Sequence, residues 1–139
     1  MIMRVWDVTF TAADLQRAVD FYRNTLVLQM KYEFSNYAGF DCSGVEIGLV
    51  PGRAGPPQED APCVDFLVRD VDEAHRVLQA SGVHFVKEPH DTPWGGRIAL
   101  STDPDGHRLQ LVQIKWPQYF EACSPRWLLY SRREVRMCC

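Results

Sequence analysis

The chain has 139 residues, 46% hydrophobic and 24% charged, with a formal charge of −3. That length suits one domain able to bury a core without staples, and no apolar run approaches the roughly 18 residues of a membrane span. Charge is uneven: residues 1–114 hold 10 Lys/Arg against 16 Asp/Glu, and residues 115–139 hold 5 against 2. An acidic body argues against nucleic acid as the main partner.

The first stretch, MIMRVWDVTFTAADLQ, is interrupted by Asp7 and does not read as a signal peptide. It reads instead as a strand with Trp6, Val8 and Phe10 on one face and Asp7, Thr9 and Thr11 on the other. Asp14 is an N-cap for an amphipathic helix. Val27 stands near the place where a glycine would end that helix cleanly, so a less regular turn is expected there. Strand-like runs follow at about 29–34, 37–42 and 45–50.

Residues 51–61, in PGRAGPPQEDAP, form a Pro/Gly-rich linker without periodicity. After it the pattern repeats at a constant offset: Val8 matches Val64, Phe10 matches Phe66, Asp14 matches Asp70 and Ala18 matches Ala74. In this second copy Glu73 stands three residues after Asp70, a capping-box arrangement, and Gly82 supplies a C-cap. Strand-like runs recur at 83–88, 96–102 and 108–113. DPDG at 103–106 is a turn signal in its own right, and it fixes the register of the last strand.

The chain is thus two βαβββ units, module 1 about 4–50 and module 2 about 62–113. Together they make an α+β domain over 1–114, followed by a basic tail over 115–139. The tail carries Trp127, Leu128, Leu129 and Tyr130 and is expected to pack on the body or on a partner chain.

Alternation places Val8, Phe10, Val45, Ile47, Leu49, Val64, Phe66, Leu109 and Leu111 under the helices, with Trp6 among the core candidates. The opposite faces carry Asp7, Thr9, Glu46, Cys63, Asp65, Arg108 and Gln110. Such faces are ordinarily solvated, but four of them in a repeated unit can line one concave surface. Asp7, Glu46 and Asp65 suit a cationic ligand or a metal ion, or else they pair with Arg97 or Arg108. Trp94 and Phe40, and Tyr37 beside it, either stack on a flat ligand or fill space.

The five cysteines (42, 63, 123, 138, 139) show neither C-x-x-C spacing nor a secreted framework and read as cytosolic thiols. Cys63 is an inert small side chain unless electropositive neighbours activate it, and Asp7 and Asp65 would act the other way. Of the four histidines, His75 and His107 are expected at the surface. His84 and His90 are candidates for a general base only through the ordinary imidazole pKa, since no metal-type histidine spacing is present.

Together the paired modules, VTFTAADLQRAVDFY, FLVRDVDEAHRVLQASGV and DPDGHRLQLVQ resemble the vicinal oxygen chelate superfamily over about residues 4–113. This is the glyoxalase, bleomycin-resistance and extradiol-dioxygenase group, and TPWGGRIALSTDPDGHRL is closest in look to its bleomycin-resistance and small glyoxalase-like branch. The resemblance implies curled mixed sheets around a ligand cup, helices on the outer face, and pairing into a homodimer.

It also implies that metal-using members hold their ion at positions matching Asp7, Gly48, Cys63 and Gln110. Those members carry His or Glu there. The set Asp, Gly, Cys, Gln is a poor donor set for oxygen chemistry, so no metal, cofactor or catalytic residue is assigned. The expected function is cytoplasmic binding of a small organic molecule, cationic or aromatic, such as an antibiotic to be sequestered. The expected ligand contacts are Asp7, Thr9, Phe40, Glu46, Cys63, Asp65, Trp94, Arg108 and Gln110. The alternative is a lyase of lactoylglutathione type, an isomerase or a dioxygenase with an atypical metal site. A third reading is a vestigial pocket with partner binding through the tail.

Overall fold

A computed structural model describes residues 1–53, 55–56 and 58–122. In module 1, β1 (Asp7–Ala12) leads to α1 (Leu15–Asp20), a π-helical turn (Phe21–Thr25), β2 (Gln29–Phe34), β3 (Tyr37–Cys42) and β4 (Val45–Pro51). Module 2 repeats this with β5 (Cys63–Leu67), α2 (Val71–Ala80), β6 (His84–Asp91), β7 (Gly96–Thr102) and β8 (Arg108–Ile114). The order is β1-β4-β3-β2 in one sheet and β5-β8-β7-β6 in the other. In each, the first strand pairs in parallel with the last and the remaining pairs are antiparallel. The fold is α+β, with two mixed sheets that do not close on one another.

Both expected caps form: Asp14 accepts from the Arg17 amide and Asp70 from the Glu73 amide. Gly82 takes φ +92° after α2, whereas Val27 is driven to φ 59°. A β-branched residue pays for that conformation, and the π-helical turn before it is the irregularity that replaces a glycine stop. Between the modules' equivalent second strands there is a shared irregularity too, a bulge at Lys31 in β2 and one at Val86 in β6.

The core lies on the helix side. Ala18, Val19, Tyr22, Phe40, Ile47 and Leu49 are buried together with Leu109 of module 2, and Val64 and Phe66 pack against them. The DPDGH turn does more than set register, because it clasps module 1. The Tyr22 hydroxyl donates to Asp103 Oδ2 at 2.8 Å in a buried setting, and the Ala13 amide donates to Asp105 Oδ1 at 3.0 Å. His107 donates from Nε2 to the Thr11 carbonyl at 2.7 Å and stacks on Phe10 with centroids 4.7 Å apart. His107 is therefore a joint between modules and not a surface residue. Its neighbour in that expectation, His75, is half-buried and meets the Phe85 ring edge-on at 4.5 Å.

The start of the tail forms α3 (Trp116–Ala122), which packs on the β6–β7 turn. Trp94 meets Tyr119 edge-on at 6.4 Å, and the Lys115 amide donates to Gly95 O at 2.8 Å. The apolar group Trp127 to Tyr130 lies outside the described residues, as do Cys123, Cys138 and Cys139.

Candidate functional site

Strand register sets in rows the side chains of each sheet face turned away from the helices. In module 1 one row is Asp7, Glu46 and Asp41, and the next is Thr9, Gly48, Gly39 and Tyr32. In module 2 the matching rows are Cys63, Arg108, Thr102 and His84, then Asp65, Gln110, Leu100 and Lys87. Asp7, Thr9, Glu46, Cys63, Asp65, Arg108 and Gln110 thus fall where alternation places them, as two sets on two sheets.

Two expected contacts do not join either set. Phe40 is fully buried on the helix side, tilted against Tyr22 with centroids 6.1 Å apart. Being one residue out of phase with Tyr37, Gly39 and Asp41, it must face the other way. Trp94 sits at the β6–β7 turn over Gly96 and against α3. Trp6, expected in the core, is 61% exposed. It precedes the strand, and the Arg4 guanidinium (5.1 Å) and the Lys31 ammonium (5.4 Å) each lie over its ring.

Glu46 is the centre of module 1. It is 4% exposed and accepts from Lys31 Nζ at 2.8 Å, the Tyr32 hydroxyl at 2.5 Å and the Tyr37 hydroxyl at 2.5 Å. These donors hold its pKa down at about 2, the Lys31 hydrogen bond contributing most. Tyr37 in turn is pushed well above the usual phenol range by burial and by Glu46 and Asp7. Tyr37 also lies 3.0 Å from Asp7 Oδ2, while the Thr9 hydroxyl donates to Asp7 Oδ1 at 2.5 Å. A hydroxyl has a single proton, and the shorter contact to Glu46 takes it. Asp7 Oδ2 keeps acceptor capacity toward the open face.

Two glycines make this cluster possible. A methyl on Gly48 would overlap the Tyr37 hydroxyl, and one on Gly39 would come within 2.7 Å of the Tyr32 ring. The two tyrosines stack 5.8 Å apart over this glycine floor. The sequence pattern does not single out Tyr32 and leaves Tyr37 between stacking on a ligand and filling space. The legible signal was Gly39 and Gly48 opposite each other between strands, which leaves room that only large neighbours can fill.

Module 2 is built differently. Gln110 Nε2 donates to Asp65 Oδ1 at 3.2 Å, and Arg108 Nη1 donates to the Ala61 carbonyl at 3.0 Å and to that of Glu59. Arg108 therefore ties down the linker instead of neutralising an acid. Arg97, the other candidate partner, pairs with Asp72 at 2.8 Å and Asp91 at 3.2 Å, away from the concave face. Cys63 is exposed, and partial burial and Asp65 push its thiol up. His84 is exposed, and His90 bonds the Glu88 carbonyl at 2.8 Å.

The superfamily metal does not fit the four matching positions. Gly48 offers no donor, and any side chain there would collide with Tyr37. Gln110 is a neutral amide already engaged with Asp65, and Glu46 has three donors of its own. Among the described residues no three His, Cys, Asp or Glu side chains are placed to hold a metal ion.

With two βαβββ modules and these concave faces in view, comparison with known proteins gives the class. The sequence model of the Glyoxalase/Bleomycin resistance protein/Dioxygenase superfamily matches residues 5–111. The chain belongs to that superfamily. A superfamily member from Sphaerobacter thermophilus is 27% identical, with TM-score 0.67 over 81% of this chain and 98% of that one. The fosfomycin resistance protein FosX of Listeria monocytogenes is 23% identical, with TM-score 0.73 over 86% and 99%. Lactoylglutathione lyase from Agrobacterium tumefaciens is 21% identical, with TM-score 0.66 over 81% and 96%. The last two likenesses, below a quarter identity, speak for the fold alone.

Proposed function

We propose that this protein binds a small organic molecule against its concave sheet faces and sequesters it, in the manner of a bleomycin-resistance protein, without a His/Glu metal centre. The observation that carries the reading is Tyr37. Its hydroxyl occupies the space over Gly48 and is bonded to Glu46, where a metal-using relative needs an open donor. Binding then rests on burial, stacking and hydrogen bonds to a largely preformed surface.

The working unit in this reading is a homodimer in the cytoplasm. Pairing follows from the superfamily resemblance, and Trp6, Phe34 and Leu67, each more than half exposed, are apolar side chains that a partner subunit would cover. The expected preference for a cationic ligand loses its main support, because Lys31 and two phenols already answer Glu46.

The test pairs two measurements on the full chain. Equilibrium dialysis against Mn2+, Ni2+ and Zn2+ is expected to leave the protein metal-free. Calorimetric titration with bleomycin-type glycopeptide and with amphiphiles of either charge is expected to find a ligand that binds without metal. A full equivalent of tightly held ion, or no heat from any compound, overturns the reading.

A further inference from the structure

Beneath the inter-module linker lie two adjoining cavities that share Gln58, Gly106 and Arg108. One, of about 350 Å3, is walled by Val86 and Leu100 and also lined by Lys87 and Glu59. The other, of about 470 Å3, runs along β1 at Thr9 and Thr11 and is lined by Arg53 and Asp105. The linker thus acts as a wall, held in place by the bonds from Arg108 to the Glu59 and Ala61 carbonyls.

The charge in this groove is opposite to that of the chain. Elsewhere Lys31 is paired with Glu46, Arg97 with Asp72 and Asp91, Lys115 with Asp91, and Arg17 with Asp105, while Arg4, Arg23, Arg69 and Arg76 stand apart from one another without ion pairs among the described residues. Arg53, Lys87 and Arg108 have no ion pair among the described residues. Carbonyl oxygens orient the Arg108 guanidinium but do not neutralise it. On the acidic side, Asp105 Oδ1 meets the Ala13 amide at 3.0 Å and Arg17 at 3.6 Å, while its Oδ2 is buried without a hydrogen-bond partner. The lining of the two cavities thus holds three cations, Arg53, Lys87 and Arg108, against two acids, Glu59 and Asp105. Val86, 52% exposed, and Leu100 supply an apolar wall beside them.

We propose that this groove takes an organic anion with an apolar body, its acid group against Arg108 and Lys87 and its body on Val86 and Leu100. The proposal rests on the small-molecule reading above and gives the ligand its class. A cation of the same shape would meet Lys87 and Arg108 in the cavity beside Val86 and Leu100, where Glu59 is the one acid of the lining.

Calorimetric titration of the full chain with decanoate, and separately with decyltrimethylammonium, tests it. The two probes share a chain length and differ in charge. Decanoate is expected to bind once per chain and the cation at least about tenfold more weakly, a gap of about 1.4 kcal/mol. Lys87 is exposed, so Lys87→Glu should keep the fold, checked by circular dichroism, and weaken decanoate about tenfold. Val86→Asp should do the same from the apolar wall. Equal or tighter binding of the cation, or wild-type decanoate affinity in both variants, overturns the anion assignment and leaves the small-molecule reading standing. Silence from both probes and from every other compound of the titration set overturns both.

Discussion

Glu46 and Arg108 stand at matching places in the two modules, each on the last strand of its sheet beside the first strand's Asp7 or Cys63. Module 1 closes over its residue: Lys31, Tyr32 and Tyr37 converge on Glu46 above a glycine floor. Module 2 leaves its residue open, held only by linker carbonyls, with Leu100 where module 1 has Gly39. The same backbone register therefore yields one face whose charged residue is answered by its own neighbours and one whose charged residue meets only linker carbonyls. Duplication fixes where side chains point, and the size and charge of a few neighbours decide what the surface does.

The sharpest separation of inner and outer residues comes from truncation. Phe40→Ala should lower unfolding free energy by about 3–5 kcal/mol, since it empties a buried site, whereas Val86→Ala should change stability by under about 0.5 kcal/mol. Denaturant titration reads both, and a small loss at Phe40 would return that ring to the ligand surface. Glu46→Gln comes next, at about 2 kcal/mol, because it removes the charge that three donors face. Arg108→Gln, its counterpart, should cost less.

Gly48→Ala should cost about 1–3 kcal/mol by displacing the Tyr37 hydroxyl. Adding Tyr37→Phe should recover part of that loss, a coupling that a double-mutant cycle detects. Gln110→Ala, at the equivalent position of module 2, should show no such coupling. One change is a gain: Val27→Gly should stabilise by about 0.5–1 kcal/mol by relieving a left-handed valine that is 76% exposed.

Acid should also separate the modules. The folded-state pKa of Glu46, about 2, lies below the ordinary glutamate value of about 4.3. Its contribution is complete above that ordinary value and is lost as pH falls toward 2. Stability measured across that window should therefore decline with acid in the wild type, and the decline should be shallower in Glu46→Gln.

Much of this is legible in the sequence alone. Constant spacing, the Asp14 and Asp70 caps and the strand alternation set both modules, and the register of the last strand followed from DPDG. Alternation correctly turned Asp7, Glu46, Cys63, Asp65 and Gln110 away from the helices. It was misapplied to Trp6, which lies before the strand begins. It was not applied to Phe40, which was left between stacking on a ligand and filling space and proves buried, out of phase with Tyr37, Gly39 and Asp41. His107 was read as a surface turn residue because a turn signal is local, and its partner Thr11 is 96 residues away in sequence.

By itself, then, the sequence determined the repeated unit, the faces of its strands and the mismatch with a His/Glu donor set. These depend on neighbours in the chain and on a side-chain period of two. Only the tertiary structure decided that Tyr37 fills the space over Gly48 and that Lys31 satisfies Glu46. It also decided that the linker, pinned by Arg108, walls a basic groove. Each of these is a meeting of side chains from separate strands or loops, and one strand's pattern carries no information about the distance to another.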